Sequence, residues 1–185
     1  MQFCMHYAFE TEAKVRMMLK NVTDYLRPGG VFIGTIPNAK YLLSVTSLIT
    51  FSFVQRWSNS TRKRLKKVGD KGEELSFGND VYKIRFESRH PPAKGAHPYG
   101  HKYHFYLKDA VDAPEYIVQW DPFISLAKEY GLECDYKKEF HEIYQNEQEI
   151  SEFTSLLQTM NVVDSNGESF LDVDQWEAAS KRLTS

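Results

Sequence analysis

From Glu12 to Leu26 apolar residues return every three or four positions, at Val15, Met18, Leu19, Val22 and Leu26. That spacing lays them along one face of an amphipathic helix. Thr11 is placed to cap its first turn, and Pro28-Gly29-Gly30 ends it. Val31 to Ile36 is then continuously apolar apart from Gly34 and Thr35, and predicts a buried strand stopped by Pro37-Asn38. Helix, glycine turn and apolar strand make an αβ unit of the kind that builds parallel sheets. A long excursion comes next, from about Ala39 to Val118. Within it Val81-Tyr82-Lys83-Ile84-Arg85-Phe86 and Tyr103-His104-Phe105-Tyr106-Leu107 alternate with period two, predicting antiparallel strands in an inserted lid. The αβ pattern then resumes. Asp121 is a suitable N-cap and Pro122 a suitable first helical residue. Phe123, Leu126, Ala127 and Tyr130 share a face, Gly131 closes the helix, and Leu132 to Phe140 predicts the next strand. The stretch His141 to Glu177 has nine acidic residues and no Lys or Arg, which predicts a solvated helix and loop.

Composition narrows this picture. The 185 residues, 42% hydrophobic and 14% aromatic, provide for one domain with its own core. A formal charge of -2 neither requires nor excludes nucleic acid, so local charge has to be read instead. The two cysteines, Cys4 and Cys134, are too far apart for a CxxC zinc motif, and no signal-peptide pattern precedes them. A reducing compartment without a disulfide framework is expected. Tyr41 to Trp57 is apolar with a single charge, Arg56, but falls short of the roughly 20 apolar residues of a spanning helix. It reads as a buried or inserted segment, and no membrane partner is expected.

Gln2-Phe3-Cys4-Met5-His6-Tyr7-Ala8-Phe9-Glu10, followed by the helix and by Leu26-Arg27-Pro28-Gly29-Gly30-Val31-Phe32-Ile33-Gly34-Thr35-Ile36-Pro37-Asn38, resembles the cellular mRNA cap guanine-N7 methyltransferases. Three later stretches are similar to the same family in the same order. They are Ser76 to Tyr82, Val111 to Val118 with its Pro114-Glu115-Tyr116, and Leu126 to Leu132. The resemblance implies an α/β fold: the C-terminal part of a seven-stranded, Rossmann-like class I methyltransferase sheet with an inserted antiparallel β lid. It implies that Gln2-Phe3 ends the fourth strand, that Val31 to Ile36 is the fifth, and that Leu132 to Phe140 is the sixth. The chain divides accordingly into sheet core (1–40), insertion and lid (41–118), sheet core (119–144) and an acidic C-terminal region (145–185). The family's Gly-rich loop and cofactor-binding acids are expected upstream of Met1, which would leave this chain inactive by itself. Tyr41 to Thr61 is longer and more apolar than the family's connection there. A cap-contacting tyrosine of the family falls near position 182, where this sequence has Arg182.

Guanine N7 carries a free lone pair at neutral pH, so its methylation needs alignment and electrostatics rather than a general base. No catalytic acid or base is therefore expected. The resemblance implies cap-binding roles for His6, Glu115, Phe3 and Pro37, and S-adenosylmethionine-binding roles for Gln2 and Tyr7. A glutamate at position 115 would accept from guanine N1–H and the N2 amino group, a charge-assisted pair that adenine cannot offer. An imidazole at position 6 would donate to O6. Aromatic rings at Phe3 and Tyr7 would flank the base or the sulfonium, where a desolvated cation–π contact is worth about 2 kcal/mol. Read without the family, Glu115 is a surface glutamate at a turn, His6 a core histidine, Gln2 a satisfied strand-end amide and Pro37 a strand terminator.

His97, His101 and His104 match no strong zinc spacing, and no metal is expected. The basic run Arg62, Lys63, Arg64, Lys66, Lys67 has three readings: RNA phosphate contact, a nuclear import signal, or a solvated loop. The expected function is transfer of a methyl group from S-adenosylmethionine to N7 of the 5′ guanosine cap in the nucleus. Capped mRNA is the expected partner, and transcription or capping machinery a further candidate. The alternatives are a non-catalytic fragment that keeps cap or RNA contacts, and a protein-interaction module.

Overall fold

The computed structural model describes residues 1–40, 42–43, 75–87, 97–175 and 178. Thr11 caps the first long helix as its sequence requires: its hydroxyl accepts from the Lys14 amide at 3.3 Å, and α1 runs over Glu12–Tyr25. Val15, Met18 and Leu19 bury one side of it. A 3-10 turn, Met5–Glu10, precedes it and buries Met5, His6 and Phe9. Gly29, at φ 73°, turns the chain away after α1, a conformation that costs glycine nothing.

Alternation governs the middle of the chain. Strands β1 (Leu75–Gly78), β2 (Tyr82–Phe86), β3 (Lys102–Leu107) and β4 (Val111–Tyr116) form an antiparallel sheet in sequential order. Ile84 lies opposite Phe105, and Phe86 opposite Tyr103. Tyr103 in turn faces Glu115. Because side chains alternate across a strand, Tyr82, Ile84, Phe86, Tyr103 and Phe105 fall on one face and form a core with Ile117, Leu42 and Ala178. The same alternation points Glu115 inward. A turn with Asp109 at φ 59° closes β3 onto β4.

Helix α2 (Trp120–Glu129) begins two residues earlier than the sequence implies. Gln119 is its N-cap, and Asp121 and Pro122 lie inside the first turn. Proline is tolerated there because first-turn N–H groups have no intrahelical acceptor to lose. Phe123, Leu126 and Ala127 pack with Met5, Phe9, Val15, Leu19 and Val118 in the second core. Gly131 closes the helix at φ 73°: its N–H reaches Lys128 O at 3.0 Å, and the Leu132 N–H reaches Ala127 O at 3.1 Å. Helices α3 (Phe140–Glu147) and α4 (Ser151–Thr159) carry the acidic region, and α4 buries no side chain fully.

Two expected strands are absent. Val31 to Ile36 is not a buried strand: Val31 and Ile33 are 75% and 65% exposed, and burial is confined to Thr35, Ile36 and Pro37 at the far end. It pairs with the chain start. The Met1 amine donates to Ile33 O at 2.6 Å, and the Thr35 N–H donates to Met1 O at 3.1 Å. One residue bonded to the two that flank its partner is the bonding pattern of a parallel ladder. Leu132 to Glu139 forms no strand, and Phe140 already belongs to α3. An apolar run becomes a strand only when a neighbour takes up its N–H and C=O groups. Among the described residues no strand stands beside it. The apolar segment Tyr41 to Thr61, Arg182 and the basic run at 62–67 lie outside the described residues, apart from Leu42 and Leu43. No helix among the described residues is long and apolar enough to cross a membrane.

Gly78 and Asn79 set the register of β1 on β2. Gly78 has φ 143°, and a Cβ there would stand 2.1 Å from Tyr82 O. Asn79 accepts from the amides of Val81 and Tyr82 at 2.9 and 3.1 Å. Gly78→Ala is expected to cost about 3 kcal/mol through backbone strain and the forced shift of β2. A thermal melt should then show a midpoint roughly 6–12 °C lower.

Candidate functional site

Glu115 occupies a row of the sheet that is otherwise aromatic and aliphatic, and its side chain is 0% exposed. A buried carboxylate is costly unless donors surround it. The Tyr103 hydroxyl, cross-strand on β3, donates to Oε2 at 2.7 Å. On the other side the 3-10 turn brings up two more groups. The Tyr7 hydroxyl lies 3.4 Å from Oε1, and His6 Nε2 lies 3.4 Å from the same oxygen. The His6 and Tyr7 rings are 4.4 Å apart. Residues separated by about a hundred positions thus converge on one carboxylate. The reading of Glu115 as a surface residue at a turn is overturned by its place on a strand's inner face.

His6 is the unusual member. It is 1% exposed, yet neither Nδ1 nor Nε2 has a hydrogen-bond partner among the described residues. The 3.4 Å approach of Nε2 to Glu115 is within ion-pair distance but not in hydrogen-bond geometry. The geometry decides here, because a hydrogen bond at that length and angle contributes little. A core histidine normally satisfies both ring nitrogens, and each buried nitrogen left unpaired costs about 1–3 kcal/mol. Burial therefore agrees with the plain core reading of His6, but its missing partners do not.

The remaining sequence-derived residues gather one turn away. Phe3, 47% exposed, has φ 54°, a left-handed conformation that costs a non-glycine residue about 1–2 kcal/mol. Its N–H donates to the Thr35 hydroxyl at 2.8 Å, and its ring stacks on Phe140 at 6.4 Å. Pro37 is buried two residues beyond Thr35. Asn38 donates to Glu139 at 2.9 Å, tying this loop to the start of α3. Gln2 is exposed, and Tyr7 is 37% exposed. The Tyr7 ring also lines an open apolar hollow of about 520 Å³, together with Met1, Ala8, Met17, Met18 and Val22. Lys14 borders the hollow but is engaged by Glu10. That contact lowers the Glu10 pKa and raises that of Lys14.

So the structure joins His6, Tyr7 and Glu115 directly and joins Phe3 to the Pro37 loop through Thr35. Two participants escaped the sequence reading. Tyr103 was recoverable by counting outward from the Lys108–Ala110 turn, since that hairpin pairs it with Glu115. Thr35 had no signal beyond being a hydroxyl in an apolar run. His97, His101 and His104 separate into different roles: His101 meets His97 O at 2.5 Å, whereas His104 lies 3.4 Å from Asp112. Among the described residues no group of three His, Cys, Asp or Glu side chains is placed to hold a metal ion.

Comparison with known proteins gives one consistent result. The family model described as the mRNA (guanine-N(7))-methyltransferase domain matches residues 1–184. The chain is 53% identical over 182 residues to the mRNA cap guanine-N(7) methyltransferase of Cryptococcus neoformans, covering 97% of this chain and 26% of that protein. Its counterpart in Schizosaccharomyces pombe is 40% identical, over 97% of this chain and 44% of the relative. The mRNA cap guanine-N(7) methyltransferase 1 of Arabidopsis thaliana is also 40% identical, over 96% and 43% respectively. The chain thus spans less than half the length of these relatives.

Tyr103→Phe removes the 2.7 Å hydrogen bond to a buried carboxyl group and leaves the ring in place. A loss of about 2 kcal/mol in folding stability is expected. Urea denaturation of the two chains, compared at equal slope, measures it.

Proposed function

The chain belongs to the mRNA (guanine-N(7))-methyltransferase family, and we propose that in the complete protein it supplies the guanine-recognising part of a site that methylates N7 of the 5′ guanosine cap. The observation that carries this reading is the buried His6 imidazole, which among the described residues lacks a hydrogen-bond partner beside an equally buried carboxyl group. A guanine edge has the matching groups. O6 accepts, as an imidazole N–H requires, while N1–H and the N2 amino group donate, as a carboxylate requires. Adenine presents a donor where His6 would offer one, and no N1–H to Glu115. Discrimination of this kind is steep, because the wrong base leaves buried polar groups unpaired.

Both side chains are covered in the ligand-free chain, so a base must displace what covers them. Tyr7 is the nearest movable cover: it is half-exposed and shares Glu115 Oε1 with His6. Displaced, its ring would flank the reacting centre, with Phe3 and Pro37 as further walls. The exposed amide of Gln2 and the face of Tyr7 fit the cationic end of S-adenosylmethionine, whose sulfonium carries the transferable methyl. In this proposal the residues of the chain hold N7 in line with that methyl, and Glu115 favours the positive charge that develops on the guanine. No proton has to leave N7.

The same proposal extends to the fold. Met1–Phe3 and Val31–Ile36 would be adjacent strands of a seven-stranded, mostly parallel sheet, and β1–β4 a lid over the carboxyl ends of its strands, where open α/β sheets bind ligands. The single parallel pairing of Met1 with the 33–35 stretch supports that arrangement. Capped mRNA would be the substrate and the nucleus the site of action. The basic run would serve as RNA contact or import signal, with the transcription or capping machinery as partners.

Glu115→Gln in the complete protein tests the assignment. It keeps the size but faces a guanine donor with an amide donor. It also removes the charge that favours the cationic product. Methyl transfer to capped RNA should fall about a hundredfold, equivalent to about 3 kcal/mol in the transition state. Binding of S-adenosylmethionine, followed by titration, should barely change. A variant that transfers methyl at the wild-type rate removes Glu115 from the guanine site. One that also loses the methyl donor places it on the other ligand.

A further inference from the structure

We infer that Thr35 is a positioning residue for guanine recognition, its hydroxyl holding Phe3 in the left-handed conformation from which the His6–Tyr7 turn departs. The inference rests on the reading of Phe3, His6 and Tyr7 as parts of the guanine site. Thr35 is 8% exposed, a hydroxyl buried within an otherwise apolar stretch. Such a group is retained at a cost unless it makes a hydrogen bond, and here it accepts the Phe3 N–H at 2.8 Å. The residue grips the chain start twice, since its own N–H donates to Met1 O at 3.1 Å. Between these two bonds the backbone turns from the extended Met1 pairing into φ 54° at Phe3. Asn or Gly would enter that region with little penalty. Phe enters it only when its surroundings compensate.

The path of the chain beyond Phe3 depends on that conformation. Cys4 leads directly into Met5–Glu10, so the backbone angle at Phe3 fixes the direction in which the turn carries His6 and Tyr7 toward Glu115. Phe140 stacking fixes the ring of Phe3, whereas the Thr35 hydroxyl fixes its backbone. Without that acceptor the left-handed conformer loses its main support. Apparent affinity for the base then falls by the fraction of molecules that still hold it.

The test uses the complete protein that contains this chain, with capped, unmethylated RNA as substrate. Four quantities are read: KM for the RNA, kcat, the dissociation constant of S-adenosylmethionine, and the melting temperature. Thr35→Val keeps the shape and removes the acceptor. It should raise KM about tenfold and weaken methyl-donor binding by a smaller factor, through Tyr7, while kcat stays within about twofold. Thr35→Ser, which restores the hydroxyl, should return KM to near the wild-type value. If Thr35→Val does not fold, Thr35→Ser against Thr35→Cys decides between an oxygen acceptor and a weak sulfur one in nearly the same volume. Equal KM values in that pair overturn the inference. So does a Thr35→Val protein with wild-type KM, or one whose only loss is in kcat and tracks its melting temperature. Phe3→Ala separates this idea from the one beneath it. If Phe3→Ala leaves KM unchanged, Phe3 is no part of the guanine site. If Phe3→Ala raises KM and Thr35→Val does not, Thr35 alone is misassigned.

Discussion

A carboxyl group on the inner face of a sheet sets the terms for everything around it. Taking such a group out of water is costly unless hydrogen-bond donors surround it. Glu115 sits there with no exposure. Its neighbours across the sheet are aromatic and aliphatic, so relief has to come from specific donors. One is Tyr103 on the same sheet. Another, the Tyr7 hydroxyl, arrives from the 3-10 turn, an element that belongs to the other core, with the His6 ring beside it. The need to surround Glu115 therefore helps to draw the sheet and the helical part together, through a polar cluster rather than a greasy seam.

That junction is reinforced by backbone. The Gly100 N–H donates to Phe9 O, and the Ile117 N–H donates to His101 O. The first joins the end of the 3-10 turn to the approach to β3, and the second carries the β3–β4 pairing past the sheet's end. The turn that holds His6 and Tyr7 is thus pinned at its far end to the sheet that holds Glu115, while its near end is pinned at Phe3. Between the two pins Met5 and His6 are buried, whereas the Tyr7 ring reaches the surface.

How much of this could be read from the residues depends on which forces decide each element. Helix α1, its Thr11 cap, the glycine endings at Gly29 and Gly131, and the alternation of β2 and β3 follow from local chemistry and were legible. The strands expected at Val31–Ile36 and Leu132–Phe140 were not realised, because strand formation depends on partners rather than composition. The start of α2 was misjudged by two residues, since Asp121 and Pro122 are as acceptable within a first turn as at its edge. For the site, His6, Tyr7 and Glu115 came from a family resemblance, and only their convergence on one carboxylate needed coordinates. Thr35 was illegible, because its importance lies in the conformation of a residue thirty-two positions earlier.

The Lys108–Ala110 turn has a consequence for how such a chain can change in length. Strands have a side-chain period of two, so inserting or deleting one residue there and keeping the pairing beyond it would exchange the faces of β4. Glu115 would swing to solvent and Pro114 or Tyr116 would enter its place. Surface connections ordinarily absorb insertions freely. Here a three-residue hairpin acts as a ruler, and length variation among proteins built this way should collect elsewhere in the excursion.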